Sequence, residues 1–263
     1  MNAIHQQWLM PKWPGLPANV GTLSTTRRGG VSPAPYDDGM GQGGLNLGTH
    51  VGDQPHNVAH NREIVRAILP SDPAWLNQVH GTAVVDLGGL SRQQVPEADA
   101  SVTNVPGKVC AIMTADCLPV LLCDTAGKTV GAAHGGWRGL ASGVLENTVE
   151  SMRAAGAGEL MAWMGPAIGP YQFEVGPDVM QAFLNGALDD SGVRHVTAAF
   201  SPVEGKPGKY LADIYGLARY LLHRAGVAQV HGGEYCTVSN SGRFYSYRRD
   251  GVTGRQASLI WLK

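Results

Sequence analysis

Long apolar runs are missing from this chain: the longest is interrupted at Asp116, so nothing reaches the roughly 20 consecutive apolar residues that a bilayer-spanning helix needs. The opening Met1-Asn2-Ala3-Ile4-His5-Gln6-Gln7-Trp8 carries no basic segment followed by an apolar run of signal-peptide length, and a cytoplasmic location is the expectation. Basic runs interleaved with aromatics are also absent, and 20 Lys and Arg nearly balance 21 Asp and Glu, which argues against a nucleic-acid partner. Cysteine is scarce. Cys110, Cys117, Cys123 and Cys236 form no C-x-x-C pair and lack the density of a secreted disulfide scaffold, so reduced thiols are expected. Charged residues make up 16%, below the roughly 25% of ordinary soluble domains. No repeat, dividing linker or low-complexity tail appears, so 1–263 reads as one domain, with a monomer as the default.

Glycine is plentiful: 36 residues, about twice the usual share, point to tight turns and close backbone approach. The first forty residues read as loops with short strands, turning at Arg28-Gly29-Gly30 and Pro33-Ala34-Pro35. A helix is predicted from about Pro55 to Ile68, capped by Asp53 and stopped by Pro70. Leu76 to Leu87 reads as a strand pair broken at His80-Gly81. Val109 to Met113 and Thr129 to Ala133 read as buried strands. One helix is predicted from Leu140 to Ala155, closed by Gly156, and another after Asp213, with Ile214, Leu217, Ala218, Leu221, Leu222 and Ala225 on one face. Leu160 to Met164, Phe173 to Val175, Gln229 to Cys236, Phe244 to Tyr247 and Ala257 to Leu262 complete the strands. Helices separated by several consecutive strands favour a mixed α+β sandwich over a doubly wound parallel sheet.

The chemistry concentrates in three places. Cys117 follows Asp116 in a polar turn after one apolar run, and His134 ends a second, opening Gly135-Gly136-Trp137-Arg138-Gly139. His80 stands in Asn77-Gln78-Val79-His80-Gly81. Two imidazoles and a thiolate with one position left to water is the pattern of a catalytic zinc site. The glycines after His134 let a ligand touch backbone, and Arg138 is able to grip an anion bidentately. Cys110, Cys123 and Cys236 read as small hydrophobes within apolar strands. His56 and His60 lie four apart on a helix without the glutamate of a metalloprotease motif, and His5, His195, His223 and His231 have no chemical company. His50 sits close to Asn46 in a Gly-rich loop that is a candidate pocket wall. Tyr245-Ser246-Tyr247-Arg248-Arg249-Asp250-Gly251 offers a stacking surface and anion clamps, with Tyr245 and Arg249 read as structural.

Taken together, Asn77-Gln78-Val79-His80-Gly81, Thr114-Ala115-Asp116-Cys117-Leu118-Pro119, Ala133-His134-Gly135-Gly136-Trp137-Arg138-Gly139, Gly165-Pro166-Ala167-Ile168-Gly169, Phe173-Glu174-Val175-Gly176 and Tyr245-Ser246-Tyr247-Arg248-Arg249-Asp250-Gly251 resemble the YfiH or laccase-domain family. Its members are variously labelled polyphenol oxidase, peptidoglycan editing factor and purine nucleoside phosphorylase. The resemblance runs from about Thr25 to the C-terminus. It implies a single-domain four-layer α/β/β/α sandwich with mixed sheets and one zinc ion held by His80, Cys117 and His134. It also implies phosphorolysis of adenosine, inosine and methylthioadenosine, with deamination of adenosine. On that reading the partners are a nucleoside and phosphate. Asn46, Arg62, Gln78, Arg138 and Arg248 are candidates to bind substrate or phosphate, and Asp116 or Glu174 to carry a proton, though in an extended strand Asp116 would point away from the side Cys117 faces.

Two other chemistries and one non-catalytic role compete. None of the nine histidines forms an H-x-H pair, which argues against a trinuclear copper cluster, but the same three ligands suit a single copper ion as a substitute for zinc and hence a single-copper polyphenol oxidase. A Cys-His hydrolase would use Cys117 as nucleophile and His134 as base, and the laccase-domain fold resembles the catalytic domain of cytotoxic necrotising factor. The non-catalytic role is a metal store, sensor or structural site.

Overall fold

The computed structural model describes residues 7–11, 13–91 and 94–263; His5 lies outside them. In chain order the first half contains β1 (Val20–Ser24), β2 (Arg28–Ser32), α1 (Pro55–Arg66), β3 (Pro73–Ala74), β4 (Val84–Asp86), β5 (Ala100–Thr103), β6 (Val109–Thr114), β7 (Leu118–Asp124) and β8 (Val130–Gly135). The second half adds α2 (Trp137–Ser142), α3 (Val144–Ala154), β9 (Leu160–Met164), β10 (Glu174–Val175), α4 (Pro177–Asn185), α5 (Asp190–Ala198), β11 (Phe200–Pro202), β12 (Tyr210–Ala212), α6 (Ile214–Arg224), β13 (Gln229–Gly232), α7 (Tyr247–Asp250) and β14 (Gln256–Leu262).

Two mixed sheets face each other. One runs β1-β14-β6-β3 and the other β13-β9-β7-β8-β5-β4, with a small β10-β12-β11 sheet at the side. Alternation along each strand explains the layering. In β6, Cys110 and Ile112 meet Leu121 and Cys123 of β7 in the core between the sheets. Val109, Ala111 and Met113 point the other way, onto Val65 of α1. Leu118, Val120 and Leu122 of β7 point outward onto Leu140, Val144 and Leu145 of α2 and α3 and Leu217 and Leu221 of α6. The result is the expected α/β/β/α stack of four layers. Because both faces of β6, β7 and β14 are covered, these strands read as continuous apolar runs rather than alternating ones. Among the described residues no helix is long and apolar enough to cross a membrane.

Several boundaries depart from the sequence expectation. Helix α1 is capped by Gln54 without a side-chain bond, because Asp53 is engaged with Ser32 and Asn46 instead. The single helix expected over 140–155 is two, since Gly143 adopts a left-handed φ of 101° that ends α2 and starts α3 in a new direction. Most of 76–83 is irregular, with only β3 and β4 at its flanks. Residues 244–246 form no strand; they lead into the short α7, whose cap Ser246 accepts from the Arg249 N–H. Cys236 lies half-buried outside any strand, taking N–H groups of Gly169 and Ser239 at 3.3 and 3.4 Å. Helix α6 follows its predicted pattern, with Asp213 capping the Gly216 N–H at 3.0 Å.

Candidate metal centre

The cleft opens where three chain segments end on one side of the six-stranded sheet. Gln78 anchors the first segment by a reciprocal pair with the end of β6: its Nε2 donates to the Met113 carbonyl at 2.8 Å and its Oε1 accepts from the Met113 N–H at 2.9 Å. Just beyond, His80 takes φ 62°, a left-handed conformation that a residue with a Cβ adopts only at a cost and under outside restraint. The restraint is Asp99, a fully buried residue preceding β5. Its carboxylate accepts the N–H groups of Val79, His80 and Gly81 at 3.2, 2.9 and 2.6 Å.

Asp99 also orders the histidine of β8. It accepts from His134 Nδ1 at 2.7 Å, which fixes the ring and leaves Nε2 to face the cleft, the role of a carboxylate behind a metal-binding imidazole. Cys117 closes the set from the β6–β7 turn, its Sγ 3.7 Å from His80 Nε2. The ligand atoms of His80, Cys117 and His134 all lie within 4.8 Å of one another. The two imidazole rings stand edge to face, with centroids 4.7 Å apart.

Charge and space both suit a borderline-soft cation here. Burial alone would raise the Cys117 thiol, but the facing His134 and His80 outweigh it and bring the pKa down to about 6, which leaves the sulfur a thiolate at neutral pH. Burial likewise opposes the imidazolium of His134, yet Cys117 and Asp99 lift it to about 9, so an arriving metal would displace the Nε2 proton. The Asp99 carboxyl, despite its burial, is held low by His134 and the N–H groups of Gly81 and Val79. A Cβ on Gly136 would stand 2.7 Å from His80 Cδ2, 3.4 Å from Cys117 Sγ and 3.6 Å from His134 Cε1, so this glycine keeps the space beside the three side chains open. Two imidazoles and a thiolate converging on that space fit zinc, and copper as well.

A cavity of about 490 Å³ surrounds the cluster, walled by His50, Gln78, Met113, Ala115, Tyr247 and Arg255 among others. Other predicted site residues fall elsewhere. Asn46 is fully buried and structural, accepting the N–H groups of Gly48 and Arg255 and donating to Asp53. Asp116 is not extended but has φ 101°; its carboxylate accepts the Thr237 hydroxyl at 2.5 Å and the Arg248 N–H at 2.6 Å, tying the Cys117 turn to α7. Arg62 reaches Met113 at the cavity wall, 3.9 Å from its sulfur. Three candidates are not brought to the cavity. Arg138 is exposed on α2 and lies over Trp137. Arg248 donates to the carbonyls of Gln172 and Glu174. Glu174 is paired with Lys206 at 2.7 Å.

Sequence reasoning passed over Asp99 and Arg255. A carboxylate between Ala98 and Ala100 at the head of a small, apolar strand is a usable signal, because a buried charge demands partners. Arg255 has no such mark.

A two-sheet sandwich with helices on both outer faces and a His–Cys–His cluster at the strand ends defines a laccase-domain protein. The chain belongs to the family described as multi-copper polyphenol oxidoreductase laccase, whose model matches residues 21–263. It is 51% identical, over 97% of its length and 98% of theirs, to proteins named purine nucleoside phosphorylase from Pseudomonas aeruginosa and, under the name YfiH, from Escherichia coli strain K12. Among solved structures it is similar to a Neisseria meningitidis protein, with 50% identity, a TM-score of 0.85 and coverage of 98% of this chain and 99% of that one. It is also similar to YlmD from Geobacillus stearothermophilus, with 30% identity, a TM-score of 0.84 and coverage of 98% and 96%.

Proposed function

We propose that this protein is a zinc-dependent purine nucleoside phosphorylase acting on adenosine, inosine and methylthioadenosine, with adenosine deaminase activity. The observation that carries the reading is the His80–Cys117–His134 cluster inside a cavity of about 490 Å³, in a chain 51% identical to proteins named purine nucleoside phosphorylase. The matched chain is read as one domain, a cytoplasmic monomer. When bound, zinc supplies Lewis acidity and lowers the pKa of a coordinated water to about 7. The chain's own residues do the rest. Asp99 orients His134 and the His80 backbone, Gly136 keeps the ligand space open, and Tyr247, exposed at the cavity wall, offers a ring face to the purine. Asp116 holds Tyr247 in place through the neighbouring Arg248 N–H.

One observation favours a second reading, a Cys-His hydrolase. Asp99, His134 and Cys117 form a carboxylate–imidazole–thiolate series of the kind that activates a nucleophile. Metal analysis of protein purified without added metal, followed by assays of free-base release from adenosine with and without phosphate, separates the readings. About one zinc per chain with phosphate-dependent base release is expected. A metal-free, alkylatable Cys117 would select the hydrolase, copper with phenol oxidation the single-copper oxidase, and bound zinc without turnover a non-catalytic metal site.

A further inference from the structure

Two arginines and a histidine stand at or beside the cavity wall, none of them in a salt bridge among the described residues. Arg255 lines it together with His50. Its Nη1 donates to the carbonyls of Thr253 and Gly254 at 3.1 and 3.0 Å, and its Nε and Nη2 make no hydrogen bond among the described residues. Arg62 donates Nε to the Leu47 carbonyl at 3.0 Å, lays its guanidinium over Trp75 at 4.4 Å, and touches the sulfur of Met113, a residue of the cavity wall. Neither arginine forms a salt bridge among the described residues.

Both guanidinium groups are half-buried. Burial pulls Arg62 down to about 10 and lowers Arg255 against the opposing charges of Cys117 and Asp116, while His50 is held low by burial and then by Arg255 and Arg62, so both arginines act on it. Half-buried guanidinium groups that form no salt bridge gain when an anion joins them. Two guanidinium forks are suited to a tetrahedral oxyanion. The arrangement also differs from a surface basic patch in sharing its cavity with His80, Cys117 and His134.

We propose that His50, Arg62 and Arg255 form the subsite that binds inorganic phosphate beside the His–Cys–His cluster. Its assignment as a co-substrate site rests on the phosphorylase reading above. In that reaction an oxygen of hydrogen phosphate forms a bond to ribose C1′ as the C1′–N9 bond breaks. The electron pair leaves with N9, the proton of the hydrogen phosphate ends on the base, and the products are ribose 1-phosphate and free purine. The arginines bind and orient the dianion; they exchange no proton in the step.

The test uses the full-length, zinc-loaded chain and its Arg255→Gln, Arg62→Gln and His50→Asn variants. Calorimetric titration with inorganic phosphate, and separately with adenosine 5′-monophosphate, is paired with the KM for phosphate in base release. Arg255→Gln is expected to weaken phosphate binding and raise that KM by about tenfold or more, the loss of a charge-assisted contact, with Arg62→Gln less affected and zinc content and the adenosine KM unchanged. Unchanged phosphate affinity in all three variants overturns the subsite. So does a loss of nucleotide affinity without a loss of phosphate affinity, which would assign the cations to a nucleotide's own phosphate. Should Arg255→Gln lose zinc, the other two variants decide: a weakened phosphate response in either sustains the proposal, and none in both overturns it. Phosphate binding that depends on Arg255 in a protein with no phosphate-dependent turnover would keep the anion site and remove the phosphorylase reading.

Discussion

Strands β6 and β7 hold cysteines in two settings. Cys110 and Cys123 sit in the core between the sheets, and burial pushes both thiols up to about 12; Cys117, in the turn joining the same strands, is brought down to about 6. The difference is company. In the core, Cys110 and Cys123 pack among apolar side chains such as Ile112 and Leu121. At the turn two imidazoles face the sulfur, one of them backed by Asp99. One sandwich therefore supplies inert thiols and a thiolate from a single pair of strands, because helices and the second sheet cover the strands' middles while one end opens into a cleft.

Removing the sulfur breaks the comparison most completely. Cys117→Ala should take bound zinc from about one per chain to almost none and lower turnover by at least about 100-fold, with the melting transition of the metal-free protein little changed. Elemental analysis and scanning calorimetry check both halves; retained zinc would remove Cys117 from the ligand set. Asp99→Asn keeps shape but removes the charge behind His134 and weakens the acceptor of three backbone N–H groups. Zinc affinity in a chelator competition should fall about 10- to 100-fold, and an unchanged value would reduce Asp99 to a backbone anchor.

Thiol labelling sharpens the contrast without mutation. In metal-stripped protein at neutral pH, iodoacetamide should modify Cys117 and spare Cys110 and Cys123. The sign follows from the two shifts: the Cys117 thiolate is present above about pH 6 and lost as pH falls through it, whereas the His134 charge is present below about pH 9 and lost as pH rises through it. Both partners are charged, and their attraction stabilises the fold, between those limits. A labelling midpoint near 8.5, the value of a free thiol, would contradict the pairing. The smallest effect on the site is expected from Leu121→Ala. It opens a void between the sheets, costing about 2–5 kcal/mol of stability, yet zinc affinity and the labelling profile should stay as they are. A coupled loss of zinc would show that core and cleft are not separable.

Much of this division is legible in the chain. Val109 to Met113, Leu160 to Met164 and Ala257 to Leu262 are apolar enough to announce buried strands, and the periodicity after Asp213 announces α6. Glycine defeated the reading at 143, where a left-handed turn hides inside a helical pattern. The nine-residue helices α4 and α5 went unrecognised because each is short and only half covered. Arg138 and Arg248 looked suited to an anion by neighbourhood in sequence, but the helix face of one and the carbonyl partners of the other turn them from the cavity.

Residue type and local pattern alone determined the candidate His, Cys, His donor set, the buried strands and the sandwich class, since a thiol, two imidazoles and apolar periodicity carry their chemistry wherever they are placed. Only the tertiary structure decided that Asp99 lies behind His134, that Gly136 leaves room beside three side chains, and that His50 and Arg255 line the cavity those side chains share. Those facts depend on distances between segments far apart in the chain, and such distances exist only once the sheets have paired.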